Sequence, residues 1–280
     1  MLRRKMFWAL YGLSAMIFMF FFYGQYLQTW IASQFTEQPL FLGSGLISVP
    51  VKPDELLKIL RTALRLDGSG YTYRNFIWFE GYIVMIVLAL TGSVVMGNDF
   101  RFGSLPFYLA KPLTRWHYTI GKFLAVAAFI NLMTTLPAII LYIQYGLLDC
   151  WQYYIDRFDL FLGIIGYGLI LTFTLGLLLL STASMLQRTV PMIMVWASVF
   201  VFGRLLAHLL VDGLRFDSRW RLVDLWNNLY LAGNWCLGMA SDTIRPRNQP
   251  EYWEAGAVIV AVCTLCMFYL NRRIQAVEIV

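Results

Sequence analysis

NDFRFGSLPFYLAKPLTRWHYTIGK, residues 98–122, is a polar and basic stretch lodged between two long apolar runs. Ser104 can cap the amides that open a short helix. Leu105, Phe107, Tyr108 and Leu109 give that helix an apolar face able to fill a groove. Lys111-Pro112 ends it, because the residue before proline avoids the helical region. Arg115, His117 and Lys122 then fall at the inner headgroups. The pattern predicts a short helix projecting from the cytoplasmic face of a membrane bundle, able to take mechanical work from a soluble partner. An ordinary cytoplasmic hairpin is the plainer alternative.

The runs on either side set the class. Of 280 residues, 59% are hydrophobic and 14% charged, where a soluble domain carries about 25% charge. Mean hydropathy is +0.63. These values describe an integral membrane protein. A span needs about 20 mostly apolar residues, and six segments qualify: 7–31, 76–97, 120–147, 160–186, 190–211 and 252–270. The first follows Arg3, Arg4 and Lys5 and is too long for a signal peptide, which predicts an uncleaved anchor. The expected fold is an all-α membrane domain of six transmembrane helices filling residues 1–280, with the coupling helix between spans 2 and 3.

Charge orients it. With the N-terminus inside, the inner segments carry ten basic residues, among them Arg101, Lys111, Arg188, Arg272 and Arg273, against Asp99 and Glu278. Short loops rich in Lys and Arg face the cytoplasm, so both termini are expected there. The net charge of +6 follows from this topology and needs no nucleic-acid partner. Trp8, Trp30, Trp78, Trp116, Trp151 and Trp253 fall near predicted span ends, where an aromatic belt is expected.

Two outer segments, 32–75 and 212–251, are too long for simple turns. In the first, Leu57, Leu60 and Leu64 share one face of a possible helix from Pro53 to Leu66, and Lys58, Arg61 and Arg65 another. In the second, Leu222, Leu225, Trp226 and Leu229 have helical spacing and suit an interfacial or re-entrant helix pair. It reads equally as a surface lid or as an outer gate.

Charges inside a membrane are costly and need partners. Glu80 and Arg204 lie at similar depth in spans 2 and 5, which predicts an ion pair. His208 follows Arg204 by one turn and is read as having no carboxylate close in sequence. Snorkelling to the headgroups is the alternative to lining a substrate path. Gly163, Gly166, Gly168 and Gly176 invite close helix packing in span 4, and Pro137 a kink in span 3. Cys263 and Cys266 read as packing residues, and Cys150 and Cys236 as a conceivable disulfide.

Catalytic motifs are missing. There is no G-x-x-x-x-G-K-[ST], G-x-S-x-G or H-E-x-x-H, and only two histidines. No catalytic, cofactor or metal residue is assigned in this chain, so uphill work would draw on a gradient or another subunit.

Residues 98–122 resemble the corresponding stretch of ABC-2-type transporter permeases. The shared pattern is an acidic residue after span 2 (Asp99), then Gly103-Ser104-Leu105, Pro112, Arg115, and Gly121-Lys122 opening span 3. The ending from Asn271 to Glu278 is also similar to the family's tail. Pro106 departs from it, standing where a helix-forming and often acidic residue is usual. The resemblance implies a permease subunit of a bacterial ABC exporter in the cytoplasmic membrane. Its partners would be separate ATPase subunits that bind ATP and Mg, and a second permease chain, identical or related. It implies ATPase coupling through Asp99, Gly103, Ser104, Leu105, Phe107, Tyr108, Pro112 and Arg115, and a path at the dimer interface lined mainly by the first, second and fifth spans. A secondary transporter or channel working without an ATPase, or a membrane enzyme or structural subunit, is the alternative.

Overall fold

The computed structural model describes residues 5–34, 40–42, 49–51, 65–102, 115–239 and 248–278. Within them are six helices long and apolar enough to cross a membrane: Trp8–Trp30, Gly70–Phe100, Trp116–Leu148, Phe158–Leu186, Thr189–Gly213 and Tyr252–Ile274. The first span belongs to α1 (Lys5–Gln34). The second is α2 (Gly70–Gly92), a π turn (Ser93–Gly97) and α3 (Asn98–Arg101). The third is α4 (Arg115–Met133) followed by α5 (Thr135–Leu148). After a short α6 (Gln152–Asp156) comes α7 (Phe158–Leu186), the fourth span. The fifth joins α8 (Thr189–Ala197) and α9 (Gly203–His208) through one π turn (Ser198–Phe202) and ends in another (Leu209–Gly213). A 3-10 turn (Ser218–Val223) and α10 (Leu225–Cys236) precede α11 (Tyr252–Glu278), the sixth. The one departure from helix and loop among the described residues is an antiparallel ribbon after the first span, pairing Leu40–Leu42 with Val49–Val51.

The second span begins six residues before the predicted Phe76. Its opening, GYTYRN, is polar enough to miss a hydropathy threshold, yet Tyr73 is buried by a network that crosses the bundle. Tyr73 donates to the Tyr153 hydroxyl at 2.8 Å, and Tyr153 donates to the Gly68 carbonyl at 2.6 Å. Burial pushes the Tyr153 phenol well up, so it stays a donor. Consecutive spans run antiparallel: Ser14 of the first meets Glu80 of the second, and Phe21 stacks edge-on against Phe76. One end of the bundle therefore gathers the chain termini, and the other gathers the long connections.

The fourth span is the hub. Its apolar window is 67% buried, against 17% for the first span and 22% for the sixth. Its glycines let neighbours approach. A Cβ on Gly163 would lie 2.5 Å from the Cys236 carbonyl oxygen, and one on Gly168 would overlap the Thr135 hydroxyl. One on Gly176 would press the Phe123 ring. Small residues at membrane helix contacts permit this closeness.

The third span breaks at Thr134, as Pro137 predicts. Proline has no N–H for the preceding turn, and side chains at the break replace the lost order. Asn131 Nδ2 donates to the Ala127 carbonyl and to Thr172 Oγ1, both at 2.8 Å, while Thr135 donates to Asn131 Oδ1 at 2.8 Å. The bond to Thr172 ties the third span to the fourth.

Candidate functional site

Of the residues expected to couple an ATPase, Gly103, Ser104, Leu105, Phe107, Tyr108 and Pro112 lie outside the described residues. So does most of the predicted helix from Pro53 to Leu66. Arg115 opens α4. Asp99 sits in α3 at the termini end, and its surroundings are informative. Lys122 Nζ is 2.8 Å from Asp99 Oδ2, Tyr118 donates to the same oxygen at 2.7 Å, and Lys122 also donates to the Val95 carbonyl at 2.6 Å. Lys122 bridges the Val95 carbonyl in the π turn and the Asp99 carboxylate. The two ends flanking residues 103–114 are thus clamped together.

The clamp continues into other spans. Ser93 and Thr189 share a hydrogen bond at 2.7 Å. A Cβ on Gly97 would lie 3.2 Å from the Ala183 carbonyl oxygen and 3.1 Å from Gln187 Cα. Gln187 caps α7 in the left-handed conformation, φ 54°. The Arg273 guanidinium of the sixth span stands 6.0 Å from the Phe100 ring.

The expected Glu80–Arg204 pair does not form. Residues two apart on a helix point about 200° apart, so Glu80 faces the first span while Trp78 and Tyr82 face the fifth. Ser14 donates to Glu80 Oε2 at 2.7 Å, and Oε1 has no hydrogen-bond partner. Arg204 donates to the Tyr82 hydroxyl and lies 5.8 Å from the Trp78 ring centroid. Ser14→Ala is expected to cost about 1–3 kcal/mol by stranding a buried acceptor. Glu80→Gln and Arg204→Gln should add within about 0.5 kcal/mol, since they share no bond. Thermal unfolding in detergent reads both.

His208 does have a carboxylate close by. Its Nδ1 is 2.5 Å from Asp212 Oδ2, and Arg221 Nη2 donates to Asp212 Oδ1 at 2.6 Å. The sequence signal was the i, i+4 spacing; ending the fifth span at Val211 placed Asp212 in a loop, whereas the helix runs on to Gly213. Trp78 packs beside this cluster. It is half-buried against Tyr82, Trp226 and Tyr230.

Trp78, Arg204, His208, Asp212, Arg221 and Tyr230 line a cavity of about 830 Å³ between the first, second and fifth spans, roofed by the 3-10 turn and α10. Of the predicted stripe, Leu225, Trp226 and Leu229 are buried on α10, while Leu222 is half-buried in the preceding 3-10 turn. Asp224 caps α10, accepting from the amides of Trp226 and Asn227. Burial raises its carboxyl group above the usual range despite those bonds. The Trp226 ring occupies the space that a side chain at Gly81 would fill. Cavity residues Arg204 and His208 both lie in α9, bracketed by two π turns. Such turns are uncommon and concentrate where function bends a helix.

Cys150 is exposed, Cys236 packs over Gly166, and the two do not pair. Cys263 lies 3.9 Å from Thr174 Oγ1 of the fourth span.

No protein-family model matches the chain, and neither curated proteins nor solved structures give a match.

Proposed function

We propose that this chain is the membrane subunit of an ATP-driven exporter of the ABC-2 type, its termini cytoplasmic, moved by separate ATPase subunits seated against residues 103–114. The observation that carries the reading is the Asp99–Lys122–Tyr118 clamp. A push on a short lever moves a bundle only if the lever's two roots move together. Here the second and third spans are pinned at their roots, and Gly97 and Ser93 link them to the fourth and fifth. ATP and Mg act in the partner ATPase, and a second permease chain, identical or related, completes the complex.

The cavity between spans 1, 2 and 5 involves the spans that the family resemblance puts beside a path at the dimer interface. A channel or secondary transporter would have no use for a basic lever clamped at both roots. Replacing Phe107 and Tyr108 together with aspartate should abolish co-purification of the ATPase while leaving membrane insertion intact. Undiminished co-purification, or labelling of residues 103–114 from outside the cell, would overturn the reading.

A further inference from the structure

We infer that the cavity between the first, second and fifth spans binds an anionic amphiphile, with its acid group on Arg204 and Arg221 and its apolar body against Phe20, Phe21 and Phe79. The binding needs no ATPase, so the inference stands apart from the preceding proposal.

The charges facing the cavity are Arg204, Arg221, His208, Asp212 and Asp224. Counted by sign they nearly cancel, but the two carboxylates are already engaged. Asp212 is held by Arg221 and His208, and Asp224 accepts from two amides. The cation left without a carboxylate is Arg204. Arg204 has the Tyr82 hydroxyl and two ring faces, and among the described residues no carboxylate forms an ion pair with it. The Arg221 side chain is only 8% exposed, yet its Nε has no hydrogen-bond partner. That nitrogen has almost no accessible surface, so Arg221 lends positive charge to the wall while the exposed Arg204 offers the donors an acid can reach. A planar guanidinium suits carboxylate and phosphate oxygens better than any other donor.

The rest of the wall selects the body of the ligand. Phe20, Phe21, Phe79 and Leu205 also line the cavity, so an acid at the arginines has aromatic and aliphatic surface for its tail. Volume sets the scale: about 830 Å³ holds an acidic headgroup with a short chain, within the range of small-molecule sites. A lone inorganic anion would leave the apolar wall uncovered, and a cationic amphiphile would meet Arg204.

The test uses the full chain purified in dodecyl maltoside, followed by tryptophan fluorescence and thermal shift. Octyl phosphate and dioctanoyl-phosphatidylglycerol are titrated against inorganic phosphate and dioctanoyl-phosphatidylcholine. Saturable binding of either acidic amphiphile is expected, with the zwitterionic lipid and inorganic phosphate at least tenfold weaker. Octyl phosphate binding alone identifies a soluble amphiphile as the source of the chemistry, and phosphatidylglycerol binding alone a membrane lipid. Arg204→Gln should weaken binding about tenfold, the loss of one charge-assisted contact. Asp212→Asn should tighten it, because it removes a carboxylate from the wall and frees Arg221; a purely structural role predicts no gain. Equal binding of the zwitterionic lipid, equal binding of inorganic phosphate, no saturable binding, or an unchanged affinity in Arg204→Gln each overturns the inference.

Discussion

Lys122→Met should cost about 2–3 kcal/mol of stability and uncouple the bundle from its motor, whereas Asp99→Asn should cost about 1 kcal/mol. The asymmetry comes from what each leaves behind. Losing the Lys122 ammonium removes the counter-charge of Asp99, which keeps the Tyr118 hydroxyl, together with the donor to the Val95 carbonyl at the π turn. Asparagine at 99 keeps an oxygen for the Tyr118 hydroxyl and leaves Lys122 bound to Val95. The pair is partly solvated, with side chains 29% and 15% exposed, so the full penalty of a buried ion pair is not expected. The double variant should be less damaging than the sum of the singles, by about 1 kcal/mol. Its stability is read by thermal unfolding in detergent. Coupling is read by the ATPase rate of the co-purified complex, where a loss of about 1.4 kcal/mol of coupling free energy appears as about a tenfold fall. A Lys122→Met protein that melts like the parent would sink the clamp. One that melts lower yet keeps full coupled turnover would leave a structural tie with no part in force transfer.

The six spans were legible because a run of 20 apolar residues has few other uses. The second span starts earlier than its hydropathy suggests because Tyr, Thr and Asn at a helix opening score as polar, although Tyr73 is fully enclosed once Tyr153 gives its hydroxyl a partner. Depth along the membrane could be read from sequence, but direction around the helix axis could not. That is why Glu80 and Arg204, correctly placed at similar depth, were wrongly paired. Ser14, the true partner, is an unremarkable polar residue in the first span. Asp212 was within reach of sequence reasoning, four residues from His208, and was lost to a boundary two residues short. The clamp was half visible, since Asp99 and Lys122 stood in the motif, but only folding brings together side chains separated by the lever.

Gly163→Leu is expected to prevent α10 from seating on the fourth span, and Gly163→Ala to cost about 2 kcal/mol. The obstacle decides the size. A Cβ at Gly163 meets the Cys236 carbonyl at 2.5 Å, and backbone cannot turn aside as a side chain can. Overpacking costs about 1–3 kcal/mol, and alanine recovers up to about 1 kcal/mol through its better helix propensity. Gly256 supplies the control. It also lies in a span-length helix, and a Cβ there meets nothing within 4 Å. Gly256→Ala should therefore stabilise by about 0.5–1 kcal/mol, the opposite sign from the same chemical change. For a protein of this size 2 kcal/mol corresponds to a fall in Tm of about 4–8 °C. A second readout follows from burial. The Cys236 thiol is half-buried and its ionisation is pushed up by desolvation, so maleimide should label it slowly in the parent. Lifting α10 should expose the thiol and speed labelling, while exposed Cys150 labels at an unchanged rate. Slow labelling of Cys236 together with an unaltered Tm in Gly163→Leu would mean that α10 does not rest on the fourth span, and the roof of the cavity would be lost with it.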